Sequence, residues 1–175
     1  MKSILIIICV IVILTLSTAS QTMSASIQNP TDSGGPGNED PDWREGWTNI
    51  IPQNHTGQSF IVKNQTLSSI EVALLTTGNN VAGKDTITMK LLSNDGRALI
   101  KRSRRLNVGF DGWLRFDAPG QGLKVTPGEK LIIRLEDTGK VIFGWKYGLD
   151  KYPDATAIMF GKEDKKYDFL FRVNP

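Results

Sequence analysis

The sequence predicts an all-β domain, a two-sheet antiparallel β-sandwich of about eight or nine strands. Three observations point there. Between Gln58 and Leu75, Ile70, Val72 and Leu74 alternate with Ser69, Glu71 and Ala73, the period of a strand with one buried face. Further short alternating runs follow to the C-terminus, bounded by Gly, Asn, Asp or Pro. No amphipathic helix of useful length competes with them.

Taken in order, the chain of 175 residues opens on a segment of another kind. Met1-Lys2 precedes an apolar run, Ile4–Leu16, interrupted only by Thr15, and then Ser17, Thr18 and Ala19. One positive charge, a short apolar stretch and small residues before a cut describe a secretory signal peptide over residues 1–19. The run falls short of the roughly 20 residues that cross a bilayer, so no transmembrane span is expected after cleavage. Residues 20–42 are mostly Ser, Asn, Gly, Pro and Asp, the composition of a disordered polar spacer. The β-sandwich is assigned to residues 43–175.

Within it, Trp43 and Trp47, followed by Ile50 and Ile51, are expected to cover an open edge. Gln58–Val62 is the first strand, residues 63–66 the break, and Leu67–Leu75 the second strand. Thr86–Ser93 follows with Ile87, Met89 and Leu91 on one face, and Asn94-Asp95-Gly96 turns it into a partner from Arg97 to Val108. In Trp113-Leu114-Arg115-Phe116 the two aromatic residues cannot share a face, so one of them must lie outside or at an end. Leu131–Leu135, Val141–Trp145, Ala155–Phe160 and Tyr167–Val173 complete the set. The last strand should pair beside an early one, because a loose terminal strand this apolar would template aggregation. A jelly-roll order is the first expectation for such strands, and an immunoglobulin-like order the second.

Composition removes several function classes. The only cysteine, Cys9, lies inside the leader, so thiolate metal sites and cysteine catalysis are excluded from the mature chain. The formal charge of +3 is too small an excess to argue for a nucleic-acid partner. The single histidine, His55, sits in a polar loop and cannot make a common zinc site alone. The carboxylate pairs Glu136-Asp137 and Glu163-Asp164 are sequence neighbours, not groups facing across a cleft, so a small secreted hydrolase is the weakest alternative. No catalytic constellation, cofactor motif or metal spacing is visible; calcium, through Asp111, Asp150, Asp154 or Asp168, is the one cofactor the residue types allow.

Two candidate sites remain. Trp145, Tyr147 and Tyr152, with Asp150 and Asp154 between or beside them, offer aromatic faces and polar rims for a neutral sugar. Lys101, Arg102, Arg104 and Arg105 concentrate positive charge on one strand, which is expected either to protect a sheet edge or to hold a polyanion. Asn54 and Asn64 each begin an N-glycosylation acceptor pattern in a predicted loop.

Gly57-Gln58-Ser59-Phe60, Leu67-Ser68-Ser69-Ile70, Val125-Thr126-Pro127-Gly128-Glu129, Phe143-Gly144-Trp145, Tyr152-Pro153 and Tyr167-Asp168-Phe169-Leu170-Phe171 together resemble the secreted jelly-roll domains of the choice-of-anchor kind. The resemblance spans about residues 57–173 and implies a bacterial or archaeal surface protein; it carries over no catalytic residue. The expected function is a secreted cell-surface module binding a glycan or other extracellular polymer, with a structural envelope or appendage protein as the alternative. N-terminal sequencing of the exported protein should read a start at Ser20 or within the next few residues to Ser26; a retained Met1 contradicts the leader.

Overall fold

The computed structural model describes residues 46–77, 83–149 and 152–175; the leader, the spacer and Trp43 lie outside the described residues. The fold is all-β, and every strand pair is antiparallel. The first sheet contains β1 (Gly46–Asn49), β4 (Ser69–Thr76), β7 (Asp111–Asp117), β10 (Phe143–Leu149), β13 (Tyr167–Phe169) and β14 (Phe171–Asn174). The second runs in the order β12 (Lys162–Asp164), β11 (Thr156–Met159), β2 (Gly57–Ile61), β9 (Lys130–Glu136), β5 (Lys84–Ser93) and β6 (Ala98–Asn107). A separate ribbon pairs β3 (Thr66–Leu67) with β8 (Leu123–Lys124).

This corrects the expected architecture. Among the described residues, fourteen strands in three open sheets replace a two-sheet jelly roll of eight or nine. Alternation marks stretches that are extended, but it does not mark where an extended stretch changes partner. Residues 63–75 divide at Ser68, leaving Thr66 and Leu67 to the ribbon, and the polar turn after Phe160 contains β12. The terminal run Tyr167–Val173 is two strands, not one.

That last division shapes the first sheet. Strand β10 pairs with β4 through Phe143–Trp145, and beyond that point the two strands part like the arms of a fork. The C-terminal segment descends one arm as β13, against Tyr147–Leu149, and ascends the other as β14, against Ser69–Val72. Leu170 sits at the crotch. Its N–H donates to the Lys146 carbonyl at 2.8 Å, and its own carbonyl accepts from Ala73 N–H at 3.1 Å and from Trp145 Nε1–H at 2.9 Å. A diverging pair of strands would otherwise leave buried backbone groups unpaired, which costs about 1–3 kcal/mol each. One residue therefore serves both arms.

The inner faces of the two large sheets share one core. Phe60 of β2 meets Phe171 of β14 at 5.5 Å between ring centres, and Trp145 stacks on Phe169 at 4.5 Å. A polar junction also joins the sheets. Gln58 and Asp168 are both fully buried; Gln58 Nε2 donates to Asp168 Oδ1 at 2.7 Å, and its Oε1 accepts from Phe169 N–H at 2.7 Å. Asp168 Oδ2 accepts from Tyr152 N–H at 3.0 Å, so the connection before β11 is held as well. Trp113 and Phe116 divide as their spacing requires, Phe116 in the core and Trp113 on the outer face beneath the Arg172 guanidinium.

Gln58→Ala removes the donor to Asp168 and the acceptor of Phe169 N–H inside a closed core. The expected loss is about 3 kcal/mol of folding stability, read as a lower urea midpoint at an unchanged slope. A loss under about 0.5 kcal/mol contradicts a structural role for the junction.

Candidate functional site

The structure does not assemble the aromatic platform expected in residues 145–154. Trp145 alternates inward on β10 with Phe143, its relative exposure is 0%, and its Nε1–H is committed to Leu170. Tyr152 is 7% exposed; its ring packs edge-on against Phe171 and its hydroxyl donates to the Ile61 carbonyl at 3.0 Å. Burial, and then Asp154 and Asp168, push its phenol up to about 12, so it stays a neutral structural donor. Tyr147 is half-buried between Tyr167 and Phe169. Asp154 is exposed, and Asp150 lies outside the described residues. Alternation along β10 turns Trp145 and Tyr147 to the core side, and Tyr152, in the connection before β11, is held inward by Asp168 and the Ile61 carbonyl.

Among the described residues two large aromatic side chains are exposed, Phe160 at 65% in the turn after β11 and Trp47. Trp47, on edge strand β1 opposite Lys146, is 54% exposed. Its indole lies over Gly144, where a Cβ would stand 2.6 Å from the ring and 2.8 Å from the Thr77 methyl. The missing side chain at Gly144 therefore leaves the room that the ring occupies against the first sheet. Lys146 beside it is buried and paired with Asp111.

The basic run is an edge strand. β6 pairs with β5 alone, and the pleat sorts its cations by parity. Arg102 and Arg104, opposite Met89 and Ile87, lie on the core side at the open rim. There they reach the first sheet: Arg102 Nε donates to the Asp117 carbonyl at 3.1 Å, and Arg104 pairs with the Asp117 carboxylate at 3.3 Å. Lys101 and Arg105 point outward, exposed, and neither has an ion pair among the described residues.

The other residues singled out from the sequence separate. Asp111 is spent on Lys146, and Asp168 on Gln58 and Tyr152 N–H; among the described residues, no group of three or more His, Cys, Asp or Glu side chains is placed to hold a metal. His55 is exposed with a positive φ of 45° after a short 3-10 turn. Asn54 Nδ2 donates to the Asn49 carbonyl at 2.9 Å, while Asn64 is partly exposed at a bend. Among the described residues, no helix is long and apolar enough to cross a membrane.

A carboxylate pair escaped the sequence reading. Asp85, buried at the start of β5, accepts from Thr86 N–H, Lys140 N–H and Val141 N–H at 2.6–3.0 Å, and from the Thr138 hydroxyl. Burial works against its charge, yet these donors together hold its carboxyl below the ordinary value. Asp137, 6% exposed, accepts from Gly139 N–H at 3.0 Å through Oδ1, while its buried Oδ2 has no hydrogen-bond partner among the described residues. Burial pushes its carboxyl up to about 6, with Asp85 adding to the rise and the Gly139 and Phe143 N–H groups opposing it. The only visible signal was Asp137-Thr138-Gly139, which reads as an ordinary turn. The pair orders the loop between β9 and β10. With all four acceptor positions of Asp85 filled, it is a loop clasp, not a ligand site.

Compared with known proteins, the chain matches no family model, and no characterised protein is similar to it in sequence.

The clasp has a pH signature. Between an unfolded value near 3.8 and a folded value about 6, the native state binds more protons at Asp137 than the unfolded state does. Stability from this group is therefore full below pH 4 and lost as pH rises through 6. Asp85, with a lowered value, has the opposite sign and costs stability only as pH falls below its unfolded value. Thermal unfolding should show a higher melting temperature at pH 5 than at pH 7.5. Asp137→Asn should flatten that difference, which is on the order of 1–2 kcal/mol; an unaltered slope in the variant contradicts the assignment.

Proposed function

We propose that this domain is an exported, non-catalytic binding module whose ligand is an anionic carbohydrate polymer held by the basic strand β6. One observation carries the reading: Lys101 and Arg105 stand exposed at a sheet edge without a carboxylate partner among the described residues. A strand that only needs protection against pairing is served by a single inward charge, and Arg102 and Arg104 already supply that with Asp117. The outward pair is left over. Sulfate and carboxylate groups are the complementary chemistry, since a guanidinium binds both through two parallel hydrogen bonds. Export rests on the leader, and with no family match the likeness to choice-of-anchor domains lends this reading no weight.

A second reading, a neutral pyranose stacked on Trp47, is favoured by one fact: the ring is half exposed over Gly144, with Asn49 and Thr77 hydrogen-bonded to each other near it.

On immobilised heparin, the protein should be retained at low ionic strength and released as salt screens the charges. The variant with Lys101, Arg102, Arg104 and Arg105 all changed to Ala should elute markedly earlier. Lys101→Gln/Arg105→Gln, which touches no ion pair, guards against a folding defect. Equal elution of all three proteins reduces β6 to a protected edge.

A further inference from the structure

We propose that the anionic polymer lies across the strands of the second sheet, on a row formed by Lys101, Lys90 and Arg134, and not along β6. This rests on the reading of the domain as a binder of anionic carbohydrate, and it names the surface. Registers place the three residues side by side: Lys101 is opposite Lys90, and Lys90 is opposite Arg134. All three project from the outer face, since Met89, Leu91, Ile133 and Leu135 between them point into the core. With strands about 4.8 Å apart, three positive charges span about 10 Å on a flat surface.

Like charges directly opposite one another on a sheet repel, and natural pairs avoid the arrangement unless something answers it. The answer within the protein is incomplete. Glu136 is the one carboxylate among the outward positions of β5, β6 and β9, and Lys90 takes it at 2.7 Å. Lys101 has no ion pair, and the Arg134 Nε is buried with no hydrogen-bond partner among the described residues. Three cations on one row with a single carboxylate between them leave an excess of positive charge on the outer face, which an anion answers.

The rest of the face selects the kind of polymer. Thr88 and Ser103, hydrogen-bonded to each other at 2.9 Å, occupy the neighbouring row and present exposed hydroxyls to those of a sugar. No aromatic side chain stands at the outward positions of these three strands, so nothing offers the stacking surface on which single-stranded nucleic acid depends. The row therefore suits a sulfated or uronate-bearing polysaccharide. It also divides the basic run, because Arg102 and Arg104 face the other way and are occupied by Asp117.

Calorimetric titration of the protein with size-defined heparin, single-stranded oligonucleotide and dextran tests this, with folding of each variant checked by thermal unfolding. Lys101→Gln and Arg134→Gln should each weaken heparin binding about five- to tenfold, and Arg102→Gln/Arg104→Gln by less than about twofold. Dextran should not bind, and the oligonucleotide should bind more weakly than heparin. If Arg134→Gln loses its fold, Lys101→Gln, an exposed side chain without a partner, carries the test. Loss of binding in Arg102→Gln/Arg104→Gln with Lys101→Gln and Arg134→Gln unchanged overturns the row and leaves the polyanion reading standing. Oligonucleotide bound as tightly as heparin, with the same variant sensitivity, overturns the choice of polysaccharide. No heparin binding by the unmodified protein overturns both.

Discussion

The constraint on which this fold depends is the satisfaction of backbone groups where the first sheet divides. β4 and β10 pair at one end and separate at the other, so each loses a neighbour where Ala73, Lys146 and Leu170 are buried. The C-terminal segment supplies both missing neighbours by bending at Leu170, and the Trp145 indole donates to the carbonyl at the bend. Trp145 is thus a hydrogen-bond donor placed inside the core by Phe169, which stacks on it. A buried indole normally finds a partner for its N–H, and here the partner is the backbone at the bend.

The Gln58–Asp168 junction follows from the same geometry. The arm carrying β13 swings toward the second sheet, so Asp168 reaches Gln58 across the layers instead of facing solvent. An ionised carboxylate in that position is costly unless its oxygens are matched by donors; Gln58 Nε2 and Tyr152 N–H supply them. Tyr152 is consequently drawn inward, and the loop that looked like a sugar platform becomes the strap that closes the junction.

Much of the strand content was legible because burial follows the pleat. Ile87, Met89 and Leu91, and Phe169, Phe171 and Val173, point inward as their alternation required. The hairpin at Asn94-Asp95-Gly96 was legible because a positive φ, 86° at Gly96, is encoded locally. Partner choice was not. Nothing local distinguishes Thr66-Leu67, which joins β8, from Ser69-Ile70, which joins β14 and β7. The acid clasp was hidden for a related reason, since Asp85 and Thr138 are brought together only by the pairing of β5 with β9. The aromatic site was misread because the strand face of Trp145 is legible from sequence, whereas the depth of the ring beneath the opposite sheet is not.

Charge on β6 shows how far one residue of register reaches. Along this strand parity alone decides which cations close the open rim with Asp117 and which face outward. The irregularity in the pairing of β5 with β6 falls between Leu91 and Leu92, beside the hairpin, so the register from Lys90 opposite Lys101 to Lys84 opposite Asn107 runs unbroken. Without the extra residue of β6 at that point, Ile100 would stand opposite Lys90, and Lys101 would turn to the core side opposite Met89. That single irregularity keeps Lys101, Lys90 and Arg134 on one row, and the inward-facing arginines are what allow the edge to be both protected and charged on its outer face.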